Sequence, residues 1–174
     1  MERKPISVYD LMSCNFKLIG DGLLLTAGDF SSRAYNTMAI GWGSLGVVWG
    51  KPFAQVFVRP TRYTYEFMEK YDTFTIAGFP ADYRDKVMML GTKSGRDGDK
   101  IKESGLTLIP SSKVGAPGFA EAELIIECKK IYSQDLAPGN FLADYIMPMY
   151  DNDYHRQYFG EILAVFGANK YLGK

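Results

Sequence analysis

A chain of 174 residues is long enough for one domain with a sizeable core. Its 20 acidic and 20 basic side chains cancel, so no net field draws it to nucleic acid or to an acidic surface. No apolar stretch is long enough to span a bilayer, the start Met1-Glu2-Arg3-Lys4-Pro5 lacks the apolar centre of a signal peptide, and Cys14 and Cys128 form no CxxC pair, so a reduced, cytoplasmic setting is expected.

In chain order, the apolar run at residues 23–27, between Gly22 and Gly28, predicts a buried strand. A second strand is expected over residues 36–44. There Met38, Ile40 and Trp42 share one face, while Ala39, Gly41 and Gly43 leave the other nearly bare, as where a ligand or another backbone comes close. Residues 53–58 make a third strand. Thr61 is placed as N-cap of a helix running to Tyr71, with Thr64, Phe67, Met68 and Tyr71 at helical spacing. A strand over residues 73–79 follows, then a helix over residues 81–90 opened by Pro80. A polar connection spans residues 91–98, and a short helix at 99–103 is stopped by Gly105. Residues 123–133 alternate as a long strand, with Leu124, Ile126 and Cys128 on one face and Glu123, Glu127 and Lys129 on the other. A loop at 134–140, a last strand at 158–166 and a loose tail complete the chain. Many strands, turns between them and only short helices predict a closed or sandwiched antiparallel sheet in a single domain, residues 1–174.

Two clusters have the chemistry of anion sites. In Arg59-Pro60-Thr61-Arg62-Tyr63-Thr64, a proline fixes the backbone ahead of a helix start, whose free N–H groups and positive dipole end suit a phosphate. Arg59 and Arg62 add permanent charges able to grip phosphate oxygens. The same pattern also fits two surface arginines paired with carboxylates. In Lys93-Ser94-Gly95-Arg96-Asp97, Gly95 allows the backbone N–H groups to form a nest, with charge from Lys93, Arg96 and Lys100 and a hydroxyl from Ser94. Taken alone, a solvated inter-helix loop with Ser94 or Asp97 capping the next helix explains that segment more simply, and it is the presence of two such clusters in one small domain that favours a phosphorylated ligand.

Other patterns carry no chemistry. Gly41-Trp42-Gly43-Ser44-Leu45-Gly46 matches GxGxxG by its letters, but Gly50 and Pro52 follow where a dinucleotide-binding helix would have to begin. His155 is the only histidine, with no neighbouring cysteine or histidine to share a metal. Cys128 falls on an apolar strand face and reads as a small hydrophobe. Asp151-Asn152-Asp153 lacks the glycine and distal glutamate of a calcium loop. With no evident general base, nucleophile or metal, any reaction would belong to a bound cofactor.

The order of these motifs, from Asn36 through Arg59-Pro60-Thr61-Arg62-Tyr63-Thr64 and Ser94-Gly95-Arg96-Asp97 to His155 and Tyr158-Phe159-Gly160-Glu161-Ile162, resembles the flavin reductase-like family, and within it the flavoredoxin-type proteins. That resemblance implies a mainly β fold, an FMN-binding split β-barrel (antiparallel, Greek-key-like) with a few short helices, usually a homodimer with the flavin near the subunit interface. It places the isoalloxazine ring along the strand carrying Asn36, Thr37, Met38, Ala39, Trp42, Gly43 and Ser44, with Asn36 and Thr37 bonding the ring's polar edge. It gives the phosphate to Arg59, Thr61 and Arg62, helped by Ser94, Gly95, Arg96 and Lys100. The implied activity is an FMN-dependent oxidoreductase that takes hydride from NADH or NADPH and passes electrons to free flavin, a partner protein or a small acceptor. An FMN-holding electron carrier without nicotinamide-dependent activity is the alternative, and a barrel binding some other phosphorylated ligand is the third.

Overall fold

The computed structural model describes residues 3–7, 15–20 and 22–172. The strands are β1 (Lys4–Ile6), β2 (Leu23–Asp29), β3 (Ala34–Ile40), β4 (Gly43–Val48), β5 (Lys51–Val58), β6 (Thr73–Gly78), β7 (Leu108–Ile109), β8 (Gly118–Phe119), β9 (Leu124–Asp135) and β10 (Arg156–Gly167). The α-helices are α1 (Asn15–Gly20), α2 (Tyr63–Lys70), α3 (Arg84–Thr92) and α4 (Lys100–Ser104). One antiparallel sheet runs β3-β2-β6-β9-β10-β5-β4, with β1 added along β10, and β7 pairs with β8 separately. The architecture is the mainly β, antiparallel one expected from the sequence.

Both faces of the central strands are covered, which is why their sequences read as continuous apolar runs rather than alternating ones. Leu25, Val56, Phe74, Ile126 and Tyr158 belong to the core inside the curved sheet. Leu24, Ala77 and Ile125 point the other way, onto Val87 and Leu90 of α3 and onto Phe119. Gly160 on β10 is required by this packing, because a Cβ there would sit 2.5 Å from the Phe74 ring.

Several boundaries differ from the sequence reading. The strand expected over residues 36–44 is two strands, broken at Gly41 and Trp42. The chain leaves β2 as partner and takes up β5, at the opposite end of the strand order. The bare glycine face is closed at Gly43, where a Cβ would lie 2.6 Å from the carbonyl oxygen of Gln55, and open at Gly41, where nothing lies within 4 Å of an added Cβ. Helix α2 begins after Arg62, not at Thr61. A turn closes first, with the Arg62 N–H donating to the Arg59 carbonyl at 3.0 Å, and Arg62 takes the N-cap position with no side-chain cap.

Pro80 opens a single 3₁₀ turn, Ala81–Tyr83, and α3 continues to Thr92, two residues past the predicted end. β9 runs on to Asp135, into the predicted loop. Glu127 on its charged face is buried, accepting from the Ser112 N–H at 2.8 Å and the Lys113 N–H at 2.7 Å. The tail expected to be loose is held in place. Tyr171 is buried in the inner core, and its hydroxyl donates to Glu123 at 2.7 Å. Cys14 and the N-terminal Met1-Glu2 lie outside the described residues.

Candidate functional site

The two predicted anion clusters meet at one small cavity of about 90 Å³. Strand β3 contributes Asn36 and Met38. The turn before α2 and its first residues contribute Thr61, Arg62, Tyr63 and Thr64. The end of α3 and the loop after it contribute Gly91, Thr92, Lys93, Ser94 and Gly95, and Lys100 closes the floor from α4. An uncapped helix start leaves its first N–H groups without intrahelical partners, and here that start forms part of the cavity wall.

Lys100 is only 4 % exposed. Its ammonium donates to the carbonyls of Leu90 at 2.6 Å and Lys93 at 2.9 Å. Those are carbonyls of the last turn of α3 and the residue after it, so the lysine ties α4 to the loop. One N–H of its three remains. Burial, with the positive charge of Arg62 as the smaller cause, lowers the Lys100 pKa to about 8.

Asn36 is buried and donates from Nδ2 to Thr64 Oγ1 at 2.8 Å. Gly95 packs against it so closely that an added Cβ would collide with Asn36 Oδ1 and lie 3.0 Å from the Tyr63 ring. Arg96 braces this wall from outside. Its guanidinium lies over the Tyr63 ring at 4.9 Å, donates to the Thr61 carbonyl at 3.2 Å and pairs with Glu66. Arg62 is exposed and has no carboxylate partner among the described residues.

Of the predicted site residues, Asn36, Met38, Thr61, Arg62, Ser94, Gly95 and Lys100 line this cavity. Arg59 does not. It pairs with Asp153 at 2.9 Å, donates to the Met149 carbonyl at 2.9 Å and lies over the Tyr150 ring at 5.0 Å. These are the contacts of the surface ion-pair alternative, with Asp153 as the carboxylate. The Thr37 hydroxyl is fully buried, donating to the Leu25 carbonyl at 3.1 Å and accepting from Thr26 at 3.0 Å. Ala39 packs on Gly91, where a Cβ would sit 2.7 Å from its own. Ser44 donates to Gln55 Oε1 at 2.8 Å within the β4–β5 pair.

Trp42 is 40 % exposed and lies over His155, ring centroids 4.5 Å apart. His155 Nδ1 and the Tyr150 hydroxyl share a hydrogen bond of 3.0 Å. Burial first, then the Arg59 charge, lowers the His155 pKa to about 4, so the ring is neutral at pH 7. Sequence reasoning missed Tyr63, Thr64, Gly91 and Thr92 as lining residues. The first two become visible once the helix start is placed after Arg62, because first-turn residues then face the cavity.

On the far side of the Asn36–Gly95–Tyr63 wall lies a larger, open cavity of about 860 Å³, within the ordinary range for ligand sites. It runs between β3, the outer face of α2 and residues 98–101.

The sequence pattern that defines the family described as "Flavin reductase like domain" matches residues 23–170. The chain belongs to the flavin reductase-like family. An uncharacterised protein of Pyrococcus abyssi (strain GE5 / Orsay) is 36% identical over 101 residues, which span 58% of this chain and 56% of that relative. This flavin reductase-like chain is also similar to flavoredoxin of Desulfovibrio vulgaris (Miyazaki F), 27% identical with a TM-score of 0.66, over 86% of this chain and 70% of that one. An FMN-binding domain of a flavin reductases-like enzyme from Shewanella baltica OS155 shares the fold at 19% identity. Its TM-score is 0.69, over 95% of this chain and 77% of that one. The fold in common is the split barrel expected from the sequence.

Proposed function

We propose that this chain is a single-domain, FMN-dependent oxidoreductase whose small cavity holds the cofactor's phosphate. The observation that carries this reading is the convergence of Arg62, the buried Lys100 ammonium, the Thr61 and Ser94 hydroxyls and an uncapped helix start on one phosphate-sized space. These are donors and cations, the chemistry a phosphate dianion needs. A cradle closed to side chains at Gly95 fits the same purpose. The FMN-binding relatives support the choice of phosphorylated ligand.

Bound FMN would supply two-electron chemistry, accepting hydride from a reduced nicotinamide and giving electrons onward. The chain's own part is to bind and orient. Arg62 and Lys100 fix the phosphate, and Met38 lines the same cavity from β3. Trp42 and neutral His155 offer a partly exposed aromatic platform for a planar ring. Neutral His155 adds no positive charge beside that platform, and the surrounding rings reduce its contact with water. The acceptor in this reading is free flavin, a small molecule or a partner redox protein, and the setting is cytoplasmic.

A homodimer belongs to the same proposal. Trp49, 68 % exposed at the β4–β5 turn, meets Tyr132 of β9, 40 % exposed, with ring centroids 6.1 Å apart, and Val47 of β4 is also 68 % exposed, apolar surface suited to a second copy. Sedimentation at micromolar concentration should give twice the monomer mass.

Visible spectra decide the function. FMN should bind with a perturbed flavin spectrum, and anaerobic NADH or NADPH should bleach it. Binding without bleaching by either nucleotide would replace the reductase with an electron carrier, and no binding would leave a barrel for another phosphorylated ligand.

A further inference from the structure

The connection from β9 to β10 runs from Leu136 to His155, and the FMN reading uses only its last residue. An ordered connection of this length with no α-helix or strand of its own is uncommon outside lids and binding loops. The Leu136 N–H donates to the His155 carbonyl at 2.9 Å and closes the base of the loop. Two 3₁₀ turns, Pro138–Asn140 and Met147–Met149, shape it. Half-buried rings hold it together: Phe141 and Tyr150 stack at 5.8 Å between centroids, and Tyr154 lies 5.2 Å from Tyr150. Arg59 ties it down through Asp153, the Met149 carbonyl and the Tyr150 ring.

What this fixed loop shows to solvent is apolar and acidic. Leu142 is 96 % exposed, Tyr145 75 %, and Met147 and Met149 46 % each. Aromatic and methionine side chains anchor and adapt protein contacts. The loop has three aspartates and no lysine or arginine, in a chain of zero net charge. Asp153 is paired with Arg59, but Asp144 and Asp151 are exposed and form no ion pair among the described residues.

These free carboxylates choose the occupant. Anionic lipid or nucleic acid would be repelled. A second copy seated symmetrically would set the acidic patch against itself. A protein face with an apolar centre and a rim of lysine or arginine meets both parts of the surface. We propose that the loop from Leu136 to His155 is the docking surface for a partner protein of that kind. Because Arg59 and the stacked rings already hold the loop in shape, little ordering entropy opposes the contact. Tyr150 shares a hydrogen bond with His155, which lies against Trp42, so a docked partner sits beside that aromatic platform. The docking goes beyond the FMN reading and does not depend on it.

Titrating the isotope-labelled chain with ferrous cytochrome c, a small basic haem protein used as the probe, reads docking with no electron transfer. Amide shifts should centre on residues 141–151, and affinity should fall at least tenfold as salt rises from about 20 to about 200 mM. Asp144→Lys with Asp151→Lys should weaken binding at least tenfold and flatten the salt dependence. Leu142→Ser with Tyr145→Ser should weaken it at least fivefold and leave the salt dependence in place. Because all four side chains are exposed, both double variants should unfold at the native temperature and change FMN affinity less than twofold. No shifts at low salt, shifts centred elsewhere, or variants that bind like the native chain would each overturn the proposal. If Leu142→Ser with Tyr145→Ser turns a native dimer into a monomer, a second copy covers the loop and the proposal is overturned as well. If FMN fails to bind while the probe still docks on the loop, the docking stands and the FMN reading falls.

Discussion

Gly95 and Asn36 touch so closely that no side chain can be added to the glycine without displacing the Asn36 carboxamide. Asn36 in turn bonds Thr64 at the start of α2, so three elements meet at this contact. Gly95→Ala should therefore push Asn36 off Thr64 and open the cavity wall. The expected loss is about tenfold in FMN affinity, with about 1–3 kcal/mol of stability lost to overpacking. Titration calorimetry and urea unfolding measure the two separately, and an alanine variant identical to the native protein in both would disprove the contact.

Arg62 and Arg59 lie three residues apart and should behave differently. Arg62→Ala removes an uncompensated charge from the cavity, and a charge-assisted bond of about 1.5–3 kcal/mol should go with it. Arg59→Ala should leave FMN affinity within about twofold, because that guanidinium is engaged by Asp153 and Met149. Equal losses in both variants would return Arg59 to the phosphate site.

Lys100 should make FMN binding depend on pH. In the proposed site the charged ammonium would hold the phosphate, and burial has brought that group's pKa down to about 8 in the free protein. As pH rises through 8 the proton is lost and binding weakens, by about tenfold between pH 7 and pH 9 if binding needs the proton. The effect on folding has the opposite sign. Between pH 8 and the ordinary lysine value the unfolded chain holds more protons, so the unliganded protein gains stability from this residue as pH rises. Lys100→Met should abolish the pH dependence of affinity. A flat affinity profile in the native protein would show that the phosphate does not engage this lysine.

Gly43→Val should act on folding before it acts on any ligand. The added Cβ meets the Gln55 carbonyl oxygen across the β4–β5 ladder, a clash with backbone rather than with a flexible side chain. A loss of about 1–3 kcal/mol is expected from such overpacking, and thermal unfolding in the absence of FMN measures it. Unchanged stability together with lost FMN binding would restore the bare glycine face as a ring platform.

The strands were readable because their chemistry is local. Leu23-Leu24-Leu25 is apolar on both faces, since α3 covers one and the inner core the other, and an uninterrupted apolar run records that. The cavity was readable in part for a similar reason. Arg62, Ser94, Gly95 and Lys100 lie at helix starts and a polar loop, which sequence marks by local turn and cap chemistry, and they line one cavity. What could not be read depends on partners far along the chain. Nothing near Arg59 announces that Asp153 will meet it, so the two arginines look alike in sequence. Thr37 and Asn36 are neighbours on opposite faces of β3, and only the position of β2 and α2 decides which is core and which is cavity. The break at Gly41 follows from a change of strand partner, which the local glycine content does not reveal.

The bonds from Lys100 to Leu90 and Lys93 make one ammonium both the clasp of the loop between α3 and α4 and part of the cavity floor. A ligand that draws on the third N–H of that ammonium tightens the clasp as it binds. Occupancy and loop order are then one equilibrium, and the backbone amides of residues 93–98 become a reporter of the cofactor. Their exchange with deuterated solvent should slow when the cavity fills and return to its former rate when the ligand is dialysed away.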